Sequence, residues 1–176
     1  MNINKFTQKS IEAVQNTEKL AYEYGNQQID QEHLLLSLLG VEDSLILKLV
    51  TKMGISGEQF SEEARQAVEK LPKVSGGQLY LSNDANKVLV NAEDEAKAMG
   101  DEYVSVEHLF LAMIKQPNRA VKELLRLYGI TRDRFLQVLS TVRGNQRVVS
   151  DNPEATYDTL NKYGYDLVER ARDQKL

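Results

Sequence analysis

The chain repeats itself at a fixed distance of 75 residues. Glu32-His33-Leu34-Leu35-Leu36 returns as Glu107-His108-Leu109-Phe110-Leu111. The same offset carries Phe6-Thr7 onto Leu81-Ser82, Gly25 onto Gly100 and Ile29 onto Val104. It also carries Leu49 onto Leu124, Gly54-Ile55 onto Gly129-Ile130 and Phe60 onto Phe135. A register this long without a gap marks an internal duplication. The repeated unit spans about residues 6–70 and returns at about 81–144, and a pseudo-twofold is expected to relate the two copies.

Each copy reads as four helices. In the first, Ser10, Ala13, Val14, Thr17, Ala21 and Tyr24 recur at spacings of three and four. Their mates are Ala85, Val88, Leu89, Ala92, Ala96 and Met99. That period puts one small or apolar stripe on one helix face. Thr7 and Ser82 stand where N-caps belong, because a hydroxyl there accepts from an otherwise unpaired amide. Gly25 and Gly100 follow the last apolar positions, as helix stops do. A second, richly apolar helix is expected over about 31–39 and 105–115, a third over about 44–53 and 120–128, and a fourth over about 57–71 and 132–143. The fold class is therefore all-α, a duplicated four-helix unit with eight helices and no strand. Leu71-Pro72-Lys73-Val74-Ser75-Gly76-Gly77-Gln78 is the loop between the copies. Residues 145–153 read as a linker, and 154–174 as one extra amphipathic C-terminal helix with Tyr157, Leu160, Leu167 and Ala171 on one face.

Composition removes several classes of function. The formal charge is -4 and Lys and Arg are interleaved with acids, so the basic face of a nucleic-acid binder is missing. No apolar run approaches the roughly 20 residues that span a bilayer. There is no cysteine, which excludes disulfides, thiolate metal sites and a cysteine nucleophile. The two histidines lie one per repeat, so neither copy has the paired histidines of a metalloprotease helix, and no metal is expected. Each histidine reads as the anchor of a central helix. Gly76-Gly77 lacks the Gly-Lys-Ser or Gly-Lys-Thr of a phosphate loop. No nucleophile elbow accompanies any serine. The chain reads as a binding module rather than an enzyme.

The repeat, with Phe6-Thr7 ahead of its first helix and Glu-His-Leu opening its central one, resembles the Clp N-terminal domain, which precedes the ATPase rings of Clp unfoldases. The resemblance covers residues 1–144. Val142-Arg143-Gly144-Asn145-Gln146-Arg147-Val148 is similar to the linker of ClpB-type disaggregases. The stretch from Leu160 to Ala171, followed by Gln174-Lys175-Leu176, is similar to the segment leading into their first ATPase domain. The resemblance implies the N-terminal piece of a longer AAA+ stress-response chaperone. Residues 1–144 would form the domain, 145–153 the linker and 154–176 the start of the segment leading to the ATPase. The domain would capture unfolded or aggregated polypeptide for threading by the ring. A co-chaperone or adaptor would be a further partner, and nucleic acid and membrane would not. No cofactor is expected in this piece, and ATP and Mg in the full-length protein. The piece would be a monomer, the whole a cytoplasmic hexamer.

The resemblance also implies site residues. Thr7, Asp101 and Glu107 match the family's functional surface. The 75-residue offset adds a sister set, Ser82, Asn26 and Glu32, which lacks the aspartate. The family's apolar client groove falls on Leu89, Val90, Asn91, Glu95 and His108, three of them polar. Each residue also has a structural reading: Thr7 as a cap, Glu32 and Glu107 as first-turn carboxylates matched to the helix dipole, Leu89 as core. A second functional class stays open, the adaptor-docking or phosphoarginine-reading N-domain of a Clp protease unfoldase, through Glu32 and Glu107. Asp30-Gln31 and Ser105-Val106 depart from the Gly-Thr that such readers carry before the glutamate.

Overall fold

The computed structural model describes residues 3–74, 76–154 and 157. Eight α-helices are found among them: α1 (Gln8–Glu23), α2 (Gln31–Gly40), α3 (Leu45–Lys52), α4 (Gly57–Glu69), α5 (Asn83–Ala98), α6 (Val106–Lys115), α7 (Arg119–Leu127) and α8 (Arg132–Arg143). The caps explain the boundaries. Thr7, Ser44, Ser56, Ser82, Asn118 and Thr131 each accept, through the side-chain oxygen, from the amide three residues on. The duplication is therefore visible in the caps: Thr7 and Ser82 occupy the same place in the two copies, and so do Ser56 and Thr131.

The central helices are α2 and α6. Eight consecutive residues of α6, Val106 to Met113, are buried. Such a helix has almost no solvent face, and it is apolar apart from the buried Glu107 and His108 in its first turn and Lys115 at its end. Around it Phe110 meets Phe135 with ring centroids 4.9 Å apart. Phe60 of the first copy meets Tyr128 of the second edge-on at 5.1 Å, so the core runs across both copies.

The expectation of no strand is corrected. Two short strands, β1 (Gln28–Ile29) and β2 (Tyr80–Leu81), pair in parallel. Ile29 faces Leu81, and an isolated parallel bridge joins Phe6 to Val104. The two pairings are the same contact seen twice, because Phe6 is the mate of Leu81 and Ile29 the mate of Val104. Each copy thus lends an edge to the other. Two-residue strands carry no period, and their partners lie some fifty or more residues away, so sequence pattern does not reveal them.

A second difference lies after α8. Gly144, at φ 58, turns the chain back onto the body. Residues 145–154 do not form a free linker. The amide of Glu102 donates to Val148 O at 2.8 Å, and that of Gln8 to Asp151 O at 2.7 Å. Val148, Glu154 and Tyr157 are buried. Pro153, Glu154 and Tyr157 are helical, with Pro153 suited to a first turn. The rest of the expected C-terminal helix, including Leu160, Leu167 and Ala171, lies outside the described residues.

Candidate functional site

The two histidines build equivalent anchors. In α2, the backbone amide of the N-cap Asp30 donates to His33 Nδ1 at 2.9 Å. In α6, the amide of Ser105 donates to His108 Nδ1 at 2.8 Å. A ring nitrogen that accepts carries no proton, so in both rings Nε2 is the protonated one. His33 Nε2 then donates to Asn26 Oδ1 at 2.9 Å, and His108 Nε2 to Asp101 Oδ2 at 2.6 Å. Burial depresses the His33 pKa, in keeping with a neutral ring. The histidine does the work usually given to Glu or Gln in a capping box.

From this shared frame the copies diverge. Asn26 of the first is Asp101 in the second, and Val68 is Arg143. Arg143, 3% exposed, donates to Asp101 Oδ1 and lies 3.4 Å from Glu107 Oε2. The amide of Val148 also donates to Asp101 Oδ1, at 3.0 Å. Burial pushes the Asp101 carboxyl up, but the bonds from His108, Arg143 and Val148 outweigh it and hold the group below its ordinary range. Burial would pull Arg143 down, but the Asp101 bond and the Glu107 charge hold it above its usual value.

The carboxylate that serves the helix start also differs. In the first copy Asp30 Oδ1 accepts from the Gln31 amide and from Ser82 Oγ, both at 2.8 Å. Its mate is Ser105, which has no carboxylate. In the second copy Glu154 supplies it from beyond the repeat. Glu154 Oε2 accepts from the Val106 amide at 3.1 Å and from Thr7 Oγ1 at 2.6 Å. Gln31 and Val106 are mates, as are Ser82 and Thr7. Glu154 therefore rebuilds in the second copy the junction that Asp30 makes in the first.

The site residues expected from the sequence fall into two places. Thr7, Asp101 and Glu107 come together, linked through Glu154 and Arg143, and all three are buried. Ser82 is the buried cap of α5 beside Asp30. Glu32 is bonded by Asn118 Nδ2 at 2.6 Å and lines a cleft of about 390 Å³ with Glu63, Gln66, Leu71, Glu123 and Leu127. Burial raises its pKa. Leu89 is buried and forms the floor of a shallow apolar groove with Val14, Thr17, Ile29, Leu34 and Leu81. Val90 is exposed, while Asn91 donates to Gln116 and Glu95 is clamped by both Nη atoms of Arg132 at 2.8–2.9 Å. Arg143, Glu154 and Tyr157 were not reached from the sequence. The available signal was the loss of Asp30's carboxylate at Ser105 and the arrival of arginine where the first copy has Val68.

Glu154 is the titrating member of the cluster. Burial, reinforced by the Glu107 charge, pushes its carboxyl up to about 7. Thr7 and the Val106 amide bond it, and the Tyr157 phenol stands close by. A carboxyl raised from 4.5 binds its proton more tightly when docked. Docking of residues 148–154 and Tyr157 should therefore be strongest below pH 4.5 to 5 as far as Glu154 is concerned, weakening as pH rises toward 7 and beyond. Amide exchange at Glu102, corrected for intrinsic rate, should show less protection at pH 8 than at pH 5.5. Glu154→Gln should flatten that dependence.

A duplicated, pseudo-twofold, predominantly helical domain is what these elements define. Among the described residues no group of His, Cys, Asp or Glu could hold a metal, and no helix is long and apolar enough to cross a membrane. The sequence matches the Clp repeat (R) N-terminal domain family over residues 5–158. It is similar over its whole length to chaperone protein ClpB of Nitratidesulfovibrio vulgaris, at 43% identity, and of Bacillus cereus, at 41%. In each case it covers 21% of the relative, so the chain spans about a fifth of the curated relatives it matches. The crystal structure of the Hsp104 N-terminal domain from Candida albicans shares the fold, with a TM-score of 0.73 at 24% identity. That match covers 84% of this chain and 97% of the other. The chain belongs to the Clp repeat N-terminal domain family, and its similarity is to the N-terminal region of ClpB chaperones.

Proposed function

We propose that this is the client-capturing N-terminal domain of a ClpB-type disaggregase, one that hands unfolded or aggregated polypeptide to an ATP- and Mg-dependent hexameric ring in the cytoplasm. The observation that carries the reading is the 43% identity to a ClpB chaperone along the entire chain. The surface is suited to it. Val74, Leu79, Tyr80, Leu81 and Val90 are large apolar residues left exposed. Leu81 lies beside the buried Leu89 around a crevice of about 10 Å³, and Tyr80 and Val74 line an adjoining cleft of about 120 Å³ that shares Asp30. Burying apolar client side chains there contributes on the order of 25 cal/mol per Å² and needs no particular sequence. Leu89 lies buried beneath it, and the Tyr80 and Ser82 amides, donating to Gln27 O and Ile29 O, hold the strand residues Tyr80 and Leu81 in place.

The test is a titration of the chain with an unfolded model protein, followed by amide chemical shifts. Shifts at Tyr80, Leu81 and Val90, lost in Leu81→Asp with an unchanged melting curve, are expected. Absence of any shift would sink the reading. A second reading, a phosphoarginine or adaptor reader, is favoured by one feature: Glu32 opens onto a cleft with Glu63 and Glu123, an acidic setting for a guanidinium. Glu107 is differently placed, since the guanidinium beside it is Arg143 of the same chain. Free phosphoarginine shifting residues around Glu32, with the unfolded protein silent, would establish this second reading in place of the first.

A further inference from the structure

We propose that Thr7, Asp101, Glu107 and Arg143 form a receptacle for the chain's own residues 148–154 and Tyr157. That stretch acts as a releasable latch between the domain and the chain leading away from it, and the four receptacle residues are positioning residues rather than client contacts.

Three observations carry this. The first is access. Thr7 and Glu107 are fully buried and Asp101 is 8% exposed, so a client cannot touch them while the stretch is docked. The second is the bonding. Thr7 and the Val106 amide hold Glu154, Asp101 holds the Val148 amide, and the guanidinium of Arg143 lies 5.8 Å from the centre of the Tyr157 ring. The body's own amides of Gln8 and Glu102 are capped by carbonyls of the stretch. The third is the asymmetry between the copies. In the first copy the same junction uses Asp30, a residue of the helix cap itself, and cannot be released in this way. The fold thus has one permanent junction and one detachable one.

The role assigned to Thr7, Asp101 and Glu107 rests on the client-capture reading; the latch itself does not. The experiment uses the full 176-residue chain. Thr7→Val, Glu154→Ala, Glu154→Gln and Tyr157→Ala are compared with the unchanged protein by amide exchange and by trypsin cleavage after the exposed Arg147. In Thr7→Val, Glu154→Ala and Tyr157→Ala, the Gln8 and Glu102 amides should exchange at least tenfold faster, and cleavage after Arg147 should speed up by a similar factor. The Ile130 amide, bonded within its own repeat to Leu125 O, reports general unfolding and should not move. Glu154→Gln, which keeps the acceptor, should retain protection at pH 8. Binding of an unfolded model protein should change less than twofold in Thr7→Val. Equal protection of Gln8 and Glu102 in all variants would overturn the latch. Weakened client binding in Thr7→Val with those amides still protected would overturn the positioning role. If the unchanged protein binds no client at all, the proposed function fails while the exchange data still decide the latch.

Discussion

Arg143→Met should lower the unfolding free energy by about 3–5 kcal/mol. The guanidinium is the cation that faces Asp101 and Glu107 in a cluster where all three side chains are almost fully removed from water. Methionine fills much of the space but leaves two buried carboxylates without their counter-charge, next to a third at Glu154. The loss should shrink as pH falls below about 7, because Glu154 can take up a proton and remove one negative charge from the cluster. Urea unfolding at pH 8 and pH 5.5 separates this from lost packing, which would give the same deficit at both. Arg126→Met is the control. Its pair with Glu123 is exposed on both sides, and such pairs are screened by solvent, so the midpoint should stay in place. A midpoint shift for Arg143→Met no larger than that of the control would mean that the cluster is hydrated.

The second large effect separates the two histidines. His108→Ala should destabilise by about 3 kcal/mol or more, since it removes a neutral bond to Ser105 and a charge-assisted bond to Asp101 in a buried site. His33→Ala removes the same two bonds in form, but its distal partner is the neutral Asn26, whose Nδ2 still donates to Pro72 O. It should cost roughly half as much. Thermal or urea melts of the two variants, side by side, make the comparison. Equal losses would mean that the charge on Asp101 adds nothing to the motif.

Much of this fold is legible in the sequence because its determinants are local. Thr7 and Ser82 announce helix starts through a single side chain, and the apolar period in α1 and α5 gives the buried stripe. The histidine anchors were legible for the same reason: cap and ring lie three residues apart. What was not legible was everything made by distance. The Ile29 to Leu81 pairing joins residues with no period between them. The seat of Glu154 depends on Thr7 at the other end of the domain. Asp101, Glu107 and Thr7, named from the family resemblance, lie close together, and their burial is settled by Arg143 and by a stretch that reads in the sequence as a linker. Leu89 illustrates the same limit, being part of the core and the floor of a groove at once.

The exchanged edges have a consequence for how the copies could change. In a dimer of two identical chains, Ile29 to Leu81 and Phe6 to Val104 would be one contact made twice, and every substitution would be doubled. A charge placed at the position of Arg143 would enter the structure twice, once with carboxylates to meet it and once without. Joining the copies in a single chain removes that constraint. One half keeps Val68, Asn26 and its own Asp30, while the other takes Arg143, Asp101 and a carboxylate from further along. Symmetry supplies the scaffold, and covalent continuity lets chemistry be written on one side of it only.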